Sequence, residues 1–433
     1  MDFLGIGHTF CGACTRMMFH HEAIWAIAAL TTAGVIIRPF RIAEWVWAVT
    51  GAALLVVMGL IPVSMAGAGI LKGGDVYLFL TGMMLLSETA RANGLFDWIA
   101  TSAVNHAAGS TSRLFTLVYL AGVVVTTFMS NDATAVVLTP AVLAVATKAK
   151  ADPLPLLFAC ALIANAASFV LPVSNPANLV LYDGALPALG SWMASFALPS
   201  LMAIVTTYLV LRLIERKHLR QACASQVEPM RLTVGGRAAL AGIVLTAVLL
   251  VTISAFDRPL GLPTALAGVA TALAVSVLAR RSPLTLVKEI SWGVLPLVAG
   301  LFVLVEAIDS TGLIGEIAQI LKRAAQSDPT AAALGSGSLL AFISNLMNNL
   351  PAGLIASEAV IQAHPPRLVV DNLLIGVDLG PNLSVTGSLA TILWLQVIRR
   401  GGEDVGFMQF LKIGAVAMPA ALVTALGARL LMG

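Results

Sequence analysis

Charge is scarce in this sequence. Of its 433 residues only 11% are Asp, Glu, Lys or Arg, against 58% hydrophobic. A soluble domain carries roughly 25% charged residues, so an ordinary soluble globule is excluded. Cysteine is scarce too: Cys11, Cys14, Cys160 and Cys223 are too few and too scattered for a disulfide framework. No G-x-x-x-x-G-K-[ST] run occurs, so a P-loop for nucleoside triphosphates is missing. No metal-ligand spacing and no nucleophile–base constellation supports an enzyme, and no cofactor is implied. The net charge of +3 points to no nucleic-acid partner, because basic residues of membrane chains mostly report topology.

What is abundant is long apolar sequence. Stretches at about 23–37, 44–64, 75–90, 155–190, 192–212, 237–256, 262–279, 290–308, 368–398 and 406–431 read as spans, since about 20 apolar residues cross the hydrocarbon core. Two of them are too long for one plain helix and carry breakers: Leu171-Pro172-Val173-Ser174-Asn175-Pro176-Ala177-Asn178 and Gly376-Val377-Asp378-Leu379-Gly380-Pro381-Asn382. Proline removes a backbone donor and clashes with the preceding turn, which predicts broken helices with free backbone groups at mid-membrane. Two further apolar segments, 114–150 and 331–363, carry Ser130-Asn131-Asp132 and Asn345-Leu346-Met347-Asn348-Asn349 at their centres. Each reads as a re-entrant hairpin whose polar tip is buried in protein. Residues 1–22 read as an N-terminal tail, with Met17-Met18 marking 1–16 as an upstream extension. Its Cys11-x-x-Cys14, near His8, His20 and His21, is either an incidental tail feature or a pair that captures a metal or metalloid.

The landmarks recur in order. Glu88 lies six residues before Gly94 and Glu306 six before Gly312; Asn131 follows Gly94 by 37 residues and Asn348 follows Gly312 by 36. A broken helix with a Pro-Asn element then follows each hairpin. The expected fold is therefore an all-α polytopic membrane protein of two repeats, about ten spans plus two hairpins. The first half covers 23–212 and the second 237–433, joined by a basic linker at 213–236. If that linker is cytoplasmic, the same side collects 18 of the 25 Lys and Arg, leaving Arg16, Lys72, Arg258, Lys322, Arg323, Arg367 and Arg429 opposite. Basic residues favour the cytoplasmic side, so the first hairpin enters from the cytoplasm, the second from outside, and the repeats are inverted. Secondary transporters built this way hold substrate near the midplane, where the repeats meet.

Polar groups at bilayer depth are costly and mark function. Ser130, Asn131, Ser344, Asn345, Asn348 and Asn349 from the tips, with Asn175, Asn178, Asn382, Ser384 and Thr386 from the breaks, form the candidate substrate set, because hydroxyls and amides both donate and accept. The competing reading is that these groups only satisfy unwound backbone. Asp132 and Asp378 are the candidate proton-coupling carboxylates, since desolvation favours a carboxylate's protonated form. Asp132 comes first, with no Lys or Arg within fifteen residues on either side. Cys160 lies among apolar residues and reads as packing.

Several of these stretches resemble the ArsB arsenite efflux permeases of the ion transporter superfamily. They are Ser130-Asn131-Asp132 running on to Val137-Leu138-Thr139-Pro140, then Met347-Asn348-Asn349-Leu350-Pro351. The third runs Asn372-Leu373-Leu374-Ile375-Gly376-Val377-Asp378-Leu379-Gly380-Pro381-Asn382 and continues into Gly387-Ser388-Leu389-Ala390-Thr391. Ser174-Asn175-Pro176-Ala177-Asn178 is closer to the general superfamily break. The resemblance implies export of arsenite and antimonite in exchange for protons across the bacterial inner membrane, with an ArsA-type ATPase as a partner on the cytoplasmic face in some members. The hairpin motif alone also fits an NhaD-type sodium/proton antiporter, which stands as the alternative.

Overall fold

In the computed structural model residues 6–182, 186–256 and 258–432 are described, with side chains from His20 onward except that of Arg41. Cys11, Cys14, His8, Met17 and Met18 therefore have side chains outside the described residues. Every regular element among the described residues is helical. In chain order these are α1 (Ile6–Ile37), α2 (Glu44–Val57), α3 (Val63–Lys72), α4 (Gly74–Ala92), α5 (Leu95–Ala107), α6 (Thr111–Phe128), α7 (Asn131–Ala133), α8 (Thr139–Lys148), α9 (Pro153–Ala166), α10 (Pro176–Leu181) and α11 (Leu189–Ile214). The second series is α12 (Val234–Ala255), α13 (Gly261–Leu278), α14 (Pro283–Glu289), α15 (Val294–Asp309), α16 (Leu313–Ser327), α17 (Pro329–Met347), α18 (Asn349–Ala363), α19 (Arg367–Leu379), α20 (Leu389–Arg400) and α21 (Phe407–Leu431). The first helix starts at Ile6, within the segment read as a tail.

The element order runs through twice. Gly94 and Gly312, 218 positions apart, both take positive φ, 75° and 84°, and each opens a helix. Then come helix–break–helix (α6 to α8, α17 to α18), a broken helix (α9 with α10, α19 with α20) and a long closing helix (α11, α21). Among the described residues seven helices are long and apolar enough to cross a membrane. Two of them, α6 and α17, lead into the polar tips and are 18 and 19 residues long. By length each could span, so the re-entrant reading rests on the polar tips alone.

The chain divides into two compact units. The first contains α1, α2, α3, α15 and the adjoining ends of α16 and α18. Within it α2 and α15 approach closely, because a Cβ on Gly300 would stand 2.7 Å from the Ala48 carbonyl carbon. Lys72 Nζ pairs with Glu358 Oε1 at 2.9 Å and also with Glu306. The second unit carries both tips and both breaks. There α17 lies against α19 with almost no space between backbones: a Cβ on Gly376 would meet Gly337 O at 2.2 Å, and one on Gly337 would meet Asn372 O at 2.5 Å. Glycine at both positions sets the leading arm of the second tip directly on the first half of the second broken helix.

Candidate functional site

The first tip begins where α6 stops at Phe128. Ser130 caps the short α7, its Oγ accepting from Ala133 N at 3.3 Å, and Asn131 Oδ1 accepts from Asp132 N at 2.9 Å. A π turn over Thr134–Leu138 follows, in the stretch where Pro140 has no N–H to give to the preceding turn. Such π turns recur at functional sites. Thr126 and Thr134 hydroxyls meet at 2.8 Å and tie the two arms together below the tip. Ser130 and Asn131 are buried, while Asp132 is half-buried. Among the described residues the Asp132 carboxylate makes no hydrogen bond or ion pair.

The second tip turns at Asn348, a non-glycine residue at φ 75°, ψ 150°. That conformation is costly and persists only where the surroundings enforce it. Asn348 Oδ1 accepts from Leu350 N at 3.3 Å, and Asn349 N donates to Gly387 O at 2.8 Å, which anchors the tip to the second break. Asn345 is committed to the same joint. Its Nδ2 donates to Ala341 O and Gly380 O, both at 2.9 Å, and its Oδ1 accepts from Ser384 Oγ at 2.9 Å. Thr386 Oγ1 donates to Asn345 O at 3.1 Å. Ser344 Oγ turns back onto Leu340 O. Ser344, Asn345, Ser384 and Thr386 thus serve the fold directly, whereas the side-chain amide of Asn349 has no partner among the described residues. Its counterpart 218 positions earlier is Asn131, whose Nδ2 is likewise unbonded.

The two breaks are cross-linked by a repeated bond. Asn175 caps α10, its Oδ1 accepting from Ala177 N at 3.0 Å, while its Nδ2 donates to Asp378 Oδ1 at 2.6 Å. Ser388 caps α20, accepting from Thr391 N at 3.1 Å, and its hydroxyl donates to Asn165 Oδ1 at 3.3 Å. Both crossings obey the same arithmetic: 378 and 165 differ by 213, as do 388 and 175. Asn165 Nδ2 donates in turn to Asn382 Oδ1 at 2.9 Å, and Asn382 Nδ2 to Leu162 O at 3.0 Å. Asn178 holds the first unwound loop through Ser168 O and Pro172 O at 2.9 and 3.2 Å.

Asp378 has no exposed surface. Its Oδ2 is buried with no hydrogen-bond partner among the described residues. Ser168 lies beside it, but that hydroxyl donates to Asn165 O at 2.6 Å. An isolated buried carboxylate without a counter-charge costs several kcal/mol, so this group is the electrostatic focus of the breaks. A second buried carboxylate, Asp371, is fully compensated. Arg429 reaches its Oδ2 through Nε and Nη2, both at 2.9 Å, and Tyr182 OH donates to its Oδ1 at 2.6 Å.

Sequence reasoning passes over Asn165, Ser168, Ser388, Thr391, Asp371 and Arg429 as a set. A usable signal for Asn165 existed: it lies ten residues before the cap Asn175, as Asp378 lies ten before the cap Ser388. For Asp371 the signal was its place seven residues before Asp378, two turns along one helix face.

A family model described as "Citrate transporter" matches residues 27–381. The "Arsenical pump membrane protein" of Escherichia coli K12 is 28% identical over 356 residues, covering 79% of this chain and 83% of that protein. The chain belongs to this family, as an ArsB-type member of the ion transporter superfamily. A "Putative arsenical pump membrane protein" of Bacillus subtilis is 24% identical and covers 88% of this chain and 93% of its own length. An "Uncharacterized transporter" of Mycobacterium tuberculosis is 26% identical, with 93% and 97% covered. The crystal structure of the YdaH transporter of Alcanivorax borkumensis matches with a TM-score of 0.58 at 16% identity, over 95% of this chain and 97% of that one. The all-helical, multi-pass transporter fold is thereby shared.

Proposed function

We propose that this chain exports trivalent arsenic and antimony, as their neutral trihydroxides, from the bacterial cytoplasm in exchange for protons. One observation carries the reading: breaks rich in amides and hydroxyls hold a buried carboxylate, Asp378, that no cation pairs among the described residues. A neutral trihydroxide offers three hydroxyls, each donor and acceptor, and is matched by side chains such as Asn131, Asn348 and Asn349 that do both. Ser130 caps the first tip, and Asn175, Asn178 and Asn382 hold the backbone of the breaks. A multiply charged carboxylate cargo would call for compensating cations; the buried guanidinium of Arg429 on α21 is already paired with Asp371. Asp378 gains or loses a charge only together with a proton or cation, which suits it to couple cargo movement to an ion gradient. Asp132, half-buried at the first tip, is the next candidate.

A sodium/proton antiporter remains the second reading, because Asp378 Oδ2 beside unwound backbone is also a ligand set for a small cation. Everted membrane vesicles from cells expressing the chain separate the two. Arsenite and antimonite accumulate inside when the lumen is acid, and sodium or lithium leaves the pH gradient intact. Collapse of the gradient by sodium or lithium, with no arsenite uptake, reverses the assignment.

A further inference from the structure

The two crossings between the breaks are equivalent in position and unequal in chemistry. Each joins the residue that caps one repeat's second half-helix to the residue ten positions before the other repeat's cap. In one crossing the acceptor is the carboxylate of Asp378, whose second oxygen has no partner among the described residues; in the other it is the amide oxygen of Asn165. Asn165 uses its NH2 group as well, towards Asn382 Oδ1 at 2.9 Å and Thr391 Oγ1 at 3.4 Å. The amide is fully engaged and carries no charge; the carboxylate has an oxygen free to hold one more atom.

We infer that Asn165 is the neutral twin of Asp378: the paired breaks carry one exchangeable charge, contribute one proton per transport cycle, and can hold that charge in either repeat. This rests on Asp378 being the coupling group. Among the described residues, the ionisable groups on the surrounding elements do not supply a second. On α19 and α21, Asp371 is paired with Arg429 and Arg367, and Lys412 is exposed. On α10 Tyr182 donates to Asp371. On α9 Asp152 faces His218, and Cys160 packs beside Thr139. Asp328 caps α17, and Arg212 of α11 is bonded to Tyr208. Asp132 sits at the first tip and is tested separately below.

The experiment moves the charge. Purified wild type, Asp378→Asn and the exchange variant Asn165→Asp with Asp378→Asn are reconstituted in vesicles with the membrane potential clamped at zero and an acid lumen. Each exchanged proton sustains about a tenfold arsenite ratio per pH unit, since one pH unit is one factor of ten in proton activity. Wild type is expected to reach about tenfold per pH unit, Asp378→Asn to show no accumulation, and the exchange variant to regain the gradient-driven ratio. An exchange variant that folds and binds arsenite yet accumulates none overturns the equivalence of the two positions. Uphill accumulation by Asp378→Asn itself sinks the earlier coupling assignment instead, a distinguishable failure. If the exchange variant does not fold, the wild-type ratio decides. About tenfold per pH unit agrees with one charge, as does about a hundredfold that falls to tenfold in Asp132→Asn. About a hundredfold that persists in Asp132→Asn contradicts it.

Discussion

At Asp378 a carboxylate with no exposed surface has one oxygen held by Asn175 and the other without a donor among the described residues. Asn175 does two things at once, capping α10 and bonding that carboxylate. Asn175→Ala is therefore expected to destabilise by about 1 kcal/mol through the cap and by roughly 1.5–3 kcal/mol through the lost bond to a carboxylate. The midpoint of thermal unfolding in detergent reads this, and an unchanged midpoint counts against the crossing as a structural joint. At Asp371 the logic differs, because the pair with Arg429 is closed. Arg429→Leu leaves the buried carboxylate with only Tyr182 and the half-exposed Arg367 at 3.6 Å, and is expected to cost up to about 3–5 kcal/mol, most of it regained when Asp371→Leu is added. If single and double variants unfold alike, the buried pair is not what holds α19 to α21. The sequence singles out Asp132 because no basic residue lies nearby, a test that sees only neighbours along the chain. Asn175 stands 203 residues from Asp378, so the bond that distinguishes Asp378 is a product of folding.

At the scale of elements the breaks were legible. Pro172, Pro176 and Pro381 each remove a donor, and the helices end at Ala166 and Leu379 ahead of them. The strained turn at Asn348 and the π turn after Asn131 were not, since neither has a composition signature beyond the polar tip itself. Nor does the pattern of apolar residues say how close two helices come. That distance is set by Gly337 and Gly376, where the two backbones meet. Gly376→Ala places a methyl where Gly337 O stands 2.2 Å away, and overpacking of this kind costs typically about 1–3 kcal/mol. Its yield as monodisperse protein and its melting midpoint should both fall. A variant as stable as wild type would show that α17 and α19 can part without loss, and that the second tip is not fixed by their contact.

Over the whole molecule the doubled element order was visible in the sequence as paired landmarks, because Glu, Gly and Asn at fixed offsets survive in an otherwise apolar chain. Which side of the membrane each end faces is a matter of charge. The split of 18 basic residues against 7 predicts that single cysteines placed within 216–231 react with an impermeant maleimide in everted vesicles and not in intact cells. Labelling of intact cells would invert the assigned direction of transport. The proposed division of labour gives the amides at the tips to a neutral cargo and one carboxylate at the breaks to the coupled ion. Its most direct test records both species together. Vesicles reconstituted with the purified chain, loaded with a pH-sensitive dye and made acid inside, receive arsenite from outside. Wild type should lose lumenal protons only as arsenite enters, and Asp378→Asn should bind arsenite but move no protons. Arsenite-driven proton flux of wild-type size in Asp378→Asn would contradict the account.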